Sequence, residues 1–571
     1  MKSLSQEKQK TINNKSVNTV RVFCENTEKY YDVEIGSNLL QFRNLIYGDD
    51  NRQILGALVN NQLKDLQMPI VEAMNINFIQ IGSLDGFSVY IRSLIFILYK
   101  AIHDLYANKT LRIEYQISNG ILCSIIGNKR LSLNSDMVDS IKKRMKEIID
   151  ADIPIVRVEI PTEHAIKLFK KQGLKDKSDL METRGRVYTS VYCIDKTVDY
   201  FYGTLAPSTG CMNVFNLVTY KEGMLLQYPT RSNPYTVAPK IAQPKLFHIF
   251  SENKNWGKIM GISDIGKMNK IVENKNSSDI IRVSEALHEK KISIIADKIN
   301  ARRKNVKIIL IAGPSSSGKT TFGKRLGVQL MVNGMQPYNL SLDNYFVDRT
   351  ETPKNADGEY DFESIDALDL QTFKSDIERL LKGEEIEITK FSFETGERFY
   401  DGERMKLKRN GVLIIEGIHG LNPKLTQLLP ADSFFRIFIS ALTSIAIDNH
   451  NIINPTDNRL IRRMVRDYKY RGYSALETIK RWESVLLGEE QHIVPYQEEA
   501  DVMFNSALIY ELGALKEQAL PLLMEVMPQN PEHSKALRLL KFFSYVRTMP
   551  TRDIPNNSIL REFLGGSSFK Y

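Results

Sequence analysis

Cysteine is scarce and scattered in this chain. The four residues, Cys24, Cys123, Cys193 and Cys211, lie far apart among 571, with no CxxC pair. That argues against a disulfide framework or a cysteine-based zinc site and suits a reducing cytoplasm. No run approaches the roughly 18 apolar residues of a membrane-spanning helix, so no membrane is expected. The opening MKSLSQEKQKTINNKS has no apolar stretch of the signal-peptide kind, and residues 1–16 read as a flexible polar tail. Internal repeats and long low-complexity stretches are also lacking. Hydrophobic residues make up 42% and charged residues 25%. This excludes a mainly disordered chain, and the length suggests about three or four domains.

The formal charge of +9 is unevenly placed. Residues 1–300 carry 41 Lys and Arg against 32 Asp and Glu, whereas residues 301–571 carry 36 of each. A basic front half suits an anionic partner such as RNA. An ordinary solvated surface is the preferred reading, since the excess is spread over 300 residues and forms no concentrated patch. A homo-oligomer is left open.

The segment 17–82 alternates short β-rich runs with turns. VRVF (20–23), YYDVEI (30–35), ALVNNQL (57–63) and INFIQI (76–81) are the strand candidates, and LLQFRNLI (39–46) has helical spacing. SVYIRSLIFILYKAIHDLY (88–106) predicts a long helix with a wide apolar face. Strands at 111–117 and 121–127 and a charged helix at 136–149 follow. Val187–Tyr202 and Met212–Tyr220 are further strand candidates. Residues 236–304 read as a polar, helical connector. Beyond residue 305 the pattern changes. VKIILIAG (306–313), GVLIIEG (411–417) and FFRIFIS (434–440) are continuous apolar runs, separated by helix-like segments. That alternation predicts a doubly wound parallel sheet over 305–520, with a helical extension over 521–571.

The most specific signal is Gly313-Pro314-Ser315-Ser316-Ser317-Gly318-Lys319-Thr320, which fits GxxxxGK[ST] between a buried strand and a helix. The glycines let backbone N–H groups converge on phosphates, the helix N-terminus favours anions, Lys319 reaches the β and γ oxygens, and Thr320 can hold Mg²⁺. Thr321 continues the cradle. The residues after the loop point to a kinase rather than a switch. Asp343, in SLDNYFVD, is placed to accept the proton of an attacking hydroxyl and to touch Mg²⁺; alternatively it caps a turn. Glu416 ends a strand beside the loop and can hold Mg²⁺, or be an exposed strand-end acid. NRLIRRMVRDYKYRG places Arg459, Arg462, Arg463 and Arg466 on one helical stripe, with Arg471 just beyond. Guanidinium groups there can close over ATP and stabilise a transferring phosphoryl group, or simply pair with nearby acids.

Together GPSSSGKTT, SLDNYF, YDF…DALD (360–369), IIEGIHGL and RLIRRMVRDYKYRG resemble the uridine kinase and phosphoribulokinase branch of the P-loop kinases. The resemblance implies ATP and Mg²⁺ as cofactors and Asp343 as the base. It assigns Thr320, Glu416 and Asp343 to the metal and Arg462, Arg466 and Arg471 to the phosphate lid. Asp361 would meet the ribose hydroxyls, and Phe391 and Phe393 would flank the acceptor. The implied reaction is phosphorylation of a small ribosyl compound, at the 5′-hydroxyl of uridine or cytidine. One departure is Gly396, which stands where these kinases carry a histidine beside the base pocket. It leaves a sugar or sugar-phosphate acceptor open.

The front half resembles the N-terminal part of threonyl-tRNA synthetases. Residues 17–82 look like a TGS domain of β-grasp type, with ALVNNQLKDLQMPI its clearest segment. Residues 83–235 look like the α+β editing-type domain that follows. Its metal ligands are replaced: Arg92 and Phe96 align with the two histidines of HxxxH, Phe201 with the cysteine and Leu205 with the last histidine. The resemblance therefore implies a domain without hydrolytic editing, kept as a scaffold, a regulatory module or an RNA-binding surface. The arrangement as a whole resembles a bacterial family of fused nucleoside kinases. An RNA- or ribosome-associated protein using ATP as a switch is the alternative from another class.

Overall fold

The computed structural model describes residues 18–48, 51–106, 109–127, 133–354, 358, 360–392 and 394–570. The flexible-tail expectation for residues 1–16 and the substrate role expected of Phe393 fall outside these residues.

The first sheet has the order Lys29–Glu34, Thr19–Cys24, Asn75–Gln80, Ile54–Val59, Gln62–Lys64. Its inner pair, Thr19–Cys24 and Asn75–Gln80, runs parallel. The helix Leu39–Tyr47 opens on a capping box between Asn38 and Gln41 and buries Leu39 and Phe42 in a small separate core with Val22, Ile76 and Phe78. The run at 57–63, expected as one strand, is a hairpin. Asn60 and Asn61 take φ of 47° and 59°, the left-handed pair a tight two-residue turn needs, and asparagine tolerates it.

The helix Leu84–Leu105 follows, nearly all buried beyond its first turn. It packs with Ser135–Asp150 against a four-stranded antiparallel sheet of Asn216–Tyr220, Gly223–Gln227, Gly120–Ile126 and Thr110–Ile117. A second antiparallel sheet pairs Thr197–Asp199, Tyr188–Ile194 and Ile155–Pro161. The segment expected as one strand over 187–202 is therefore two, turning at Asp195, whose φ is 51°. The strand expected over 212–220 begins only at Asn216. The strands Ile155–Pro161 and Gly223–Gln227 and the helices Thr162–Lys171 and Lys175–Arg184 were not anticipated. Three helices, Pro244–Ile259, Ile265–Glu273 and Ser277–Ala301, lead onward.

The C-terminal sheet is wholly parallel, in the order Gln336–Ser341, Gly411–Glu416, Ile308–Ala312, Phe434–Ser440, Val502–Asn505. Its central strand is buried at every position, as a strand covered on both faces must be. The expected boundary at 520/521 cuts through one helix, Glu511–Met524. The residues beyond it are no separate extension: Leu539, Phe543, Ile559, Leu560 and Phe563 are fully buried in a core shared with the sheet.

Front and back halves are joined by buried charge. Between the strand Phe434–Ser440 and the helix Pro455–Arg471 the chain reaches into the front half, where the Ile113 amide donates to the Asn449 carbonyl at 2.8 Å and the Asn449 amide to Asp176 at 2.7 Å. Beside it, the Lys177 ammonium lies 2.9 Å from Asp199 and 3.0 Å from Asp448, and His450 Nδ1 lies 2.6 Å from Asp199, all four side chains inaccessible to solvent. Burial disfavours the Lys177 ammonium, but Asp199, then Asp448 and Asp176, more than restore it and hold its pKa well above the usual lysine value. Removing one member strands the others without a counter-charge. Lys177→Ala should therefore lose about 3–5 kcal/mol, seen as a lowered melting temperature in calorimetry.

Candidate active site

The central strand delivers the chain to Gly313, where a Cβ would stand 2.0 Å from the Ile439 carbonyl oxygen, so only glycine lets the loop leave the sheet. The loop closes at Gly318, φ 83°, a left-handed residue that caps the helix Lys319–Val332. Lys319 Nζ donates to the carbonyls of Gly313 at 3.0 Å and Pro314 at 3.3 Å. The Ser316 and Ser317 hydroxyls are buried with no hydrogen-bond partner. The Ser315 amide donates to Glu489 at 3.2 Å.

Strand register sets the acids beside this loop. Ile311, Glu416 and Ser341 lie side by side at the carboxyl edge of three neighbouring strands. Glu416 accepts from Ser341 Oγ at 2.9 Å and from Thr320 Oγ1 at 3.3 Å. Asp343 follows in the short 3₁₀ turn Leu342–Tyr345, its amide donating to Ser341 Oγ at 3.3 Å. Burial, reinforced by the Asp343 charge and opposed by Lys319, pushes the Glu416 carboxyl up to about 7. Glu363 is also pushed up to about 7, by burial and then by Glu489, with Arg463 and Lys319 opposing and Asp343 adding. The charges of Lys319 and Asp343 thus act on the same two carboxyl groups.

The helix Pro455–Arg471 does not present its arginines as one exposed stripe. Arg462 is fully buried, paired with Glu511, donating to the Ser506 carbonyl at 2.9 Å and to the Ser316 carbonyl at 3.4 Å. Arg459 pairs with Glu489 and donates to the Ser315 carbonyl at 3.2 Å. These two brace the loop from behind rather than cover it, because buried acids on neighbouring helices hold them. Arg463 donates to Ser315 Oγ at 3.1 Å. Arg466 pairs with Asp467. Burial, then the neighbouring Arg466, depress the Arg471 guanidinium, whereas Asp467 and Asp343 favour its charge.

Asp361, expected beside the acceptor, accepts from the Glu363 amide at 3.1 Å and lies 3.8 Å from His492. The Phe391 ring lies 5.5 Å from that of Phe346. At Gly396, φ 79°, a Cβ would stand 2.6 Å from Arg349 Nε, so a guanidinium packs where a larger residue would otherwise project. The acids Glu363, Glu489 and Glu562 escaped the sequence reading. Glu363 adjoins a recognised motif, but the other two have no local signature.

In the front half, the four positions aligned with metal ligands converge. The Phe96 and Phe201 rings lie 5.4 Å apart, Arg92 Nε donates to the Thr204 carbonyl at 3.1 Å, and Leu205 is buried. Aromatic packing and a guanidinium fill the place.

Residues 308–508 match the Phosphoribulokinase / Uridine kinase family. The N-terminal part is similar to threonine–tRNA ligases. It is 32% identical to that of Aquifex aeolicus over 196 residues, 34% of this chain and 30% of the relative. To that of Syntrophotalea carbinolica it is 30% identical over 169 residues, 29% of this chain and 26% of the relative. The chain thus spans under a third of the length of these two curated relatives. Among solved structures, one described as a possible uridine kinase from Bacillus stearothermophilus is similar over 38% of this chain and 98% of its own, at 17% identity and a TM-score of 0.26. A D-glycerate 3-kinase from Cryptococcus neoformans is similar over 45% of this chain and 87% of its own, at 14% identity and a TM-score of 0.23. Among the described residues no helix is long and apolar enough to cross a membrane, and no group of three or more His, Cys, Asp or Glu is arranged to hold a metal ion.

The raised Glu363 carboxyl gives a pH test. A group protonated more readily in the folded than in the unfolded chain contributes stability at low pH and loses it as pH rises. The nucleotide-free protein should lose up to about 3 kcal/mol of this contribution between pH about 4.5 and about 7. Glu363→Gln should flatten that part of the stability–pH curve in urea denaturation.

Proposed function

We propose, from the match of residues 308–508 to the Phosphoribulokinase / Uridine kinase family and the likeness of the front part to threonine–tRNA ligases, that the protein is an ATP- and Mg²⁺-dependent phosphotransferase acting on a hydroxyl of a small ribosyl compound. The favoured acceptor is the 5′-hydroxyl of uridine or cytidine. The observation that carries this reading is the hydrogen-bonded link from Thr320, beside Lys319, through Glu416 and Ser341 to the Asp343 amide, which puts a group suited to the phosphates near one suited to the hydroxyl proton.

The buried, unpartnered hydroxyls of Ser316 and Ser317 and the loop from Gly313 to Thr321 fit an incoming polyphosphate. Thr320, Asp343 and Glu416 offer the hard oxygen donors a magnesium ion takes alongside phosphate oxygens. When bound, Mg²⁺ would neutralise developing phosphate charge. Lys319 turns from the loop carbonyls to the β and γ phosphates. Asp343 orients the acceptor hydroxyl and takes its proton as the oxygen attacks. Arg466 and Arg471 offset charge on the transferring group, and Arg462 keeps the loop backbone in place. Asp361, Phe391 and Phe393 are the residues proposed to hold the ribosyl body. Catalysis is positioning and charge stabilisation. Residues 17–82 are proposed as a TGS-like module and residues 83–235 as a scaffold derived from an editing-type domain.

A second acceptor reading, a sugar phosphate, is favoured by Arg349 against Gly396. A guanidinium beside the acceptor suits an anionic substrate better than a neutral nucleoside base.

The test is incubation of the full chain with Mg·ATP and a panel of nucleosides, pentoses and pentose phosphates, scored by product mass. Asp343→Asn should lower kcat by about 10²–10⁴-fold while ATP binding in calorimetry persists. Near-full turnover in that variant would remove Asp343 from the mechanism. Arg349→Ala should raise KM for a phosphorylated acceptor by about tenfold or more and leave a nucleoside's KM nearly unchanged.

A further inference from the structure

The segment after Ile554 lies against the phosphate loop. Ile559 stands over Gly318, its Cγ2 2.6 Å from where a glycine Cβ would be. Glu562 accepts from the Thr321 hydroxyl at 2.6 Å and from the Thr321 amide at 3.4 Å. Phe563 lies under the Arg462 guanidinium, 5.1 Å from ring centre to Cζ. Lys469, on the lid helix, donates to the Leu564 carbonyl at 2.7 Å. Ser558 bonds Glu285 on the helix Ser277–Ala301, and Lys324 bonds the Lys570 carbonyl. Ser558, Ile559, Leu560 and Phe563 are fully buried, so the segment is built into the site and does not drape over it.

Thr321 sits in the first turn of the phosphate-loop helix, where backbone N–H groups lack intrahelical acceptors and the dipole favours an anion. A nucleotide phosphate approaching that turn needs the donors that Glu562 engages. A carboxylate and a phosphate repel in one seat.

We infer that the C-terminal segment 558–564 is a wall of the nucleotide site, and that Glu562 is a positioning residue setting triphosphate affinity by holding Thr321 until a phosphate displaces it. The inference rests on the ATP-binding part of the proposed function. A purely structural helix cap would behave in the opposite way, since its loss would loosen the loop and weaken nucleotide binding.

The test is isothermal titration of ATP and of adenosine into the full-length wild type, Glu562→Gln and Glu562→Ala, with melting curves to confirm folding. Competition for the phosphate seat predicts that the ATP Kd falls about tenfold in both variants, with adenosine binding unchanged. If Ala fails to fold, Gln decides, because it keeps the size and hydrogen bonding while removing the charge. An ATP Kd that is unchanged or raised in Gln, with wild type binding ATP, overturns the inference and leaves the kinase reading standing. Equal tightening of ATP and adenosine also overturns it, since the effect would then not be at the phosphates. Failure of wild type and both variants to bind ATP overturns the kinase reading and the inference together.

Discussion

Buried carboxyl groups beside the loop govern the site. Glu416 binds the Thr320 and Ser341 hydroxyls, Glu489 takes the Ser315 amide and pairs with Arg459, and Glu562 takes the Thr321 hydroxyl. Burial first, and the charges of neighbouring acids second, push the Glu363 and Glu416 carboxyls up to about 7. The fold tolerates it because the rest of the sheet is a continuous apolar core. Strain of this kind collects at functional centres, where a cation and its ligand can relieve it.

The second organising feature is the tie between halves. The chain leading into the arginine helix passes through the front domain before returning to the nucleotide loop. The Lys177, Asp199, Asp448 and His450 group fixes that passage, and an apolar cluster containing Leu122, Leu225, Ala312 and Phe438 seals it. The synthetase-like part therefore shapes the entry to the arginine helix. In that part Phe96 packs on Phe201 and Arg92 bonds the Thr204 carbonyl.

The nucleotide loop, the parallel sheet and the placing of Asp343 and Glu416 at strand ends were legible in the sequence, because each depends on a local pattern: an apolar run, a glycine pair, an acid after a strand. Arg462 misled, since helical spacing shows which residues share a face but not that Glu511, from a distant helix, buries that face. Glu489 and Glu562 were invisible for the same reason, acting across 174 and 241 positions of chain. The hairpin at Asn60–Asn61 was missed because two left-handed asparagines read locally as part of one β-run.

The arginine helix is held most firmly at its beginning. Arg459 and Arg462 are locked to buried acids, and Asp457 is clamped by Arg538 and Lys535, whereas Arg471 and the left-handed Gly472 stand at its far end. Its last turn is tied as well, where Lys469 donates to the Leu564 carbonyl at 2.7 Å. The helix is therefore a beam pinned at both ends, and a shift at either pin is carried along it to the arginines beside the loop.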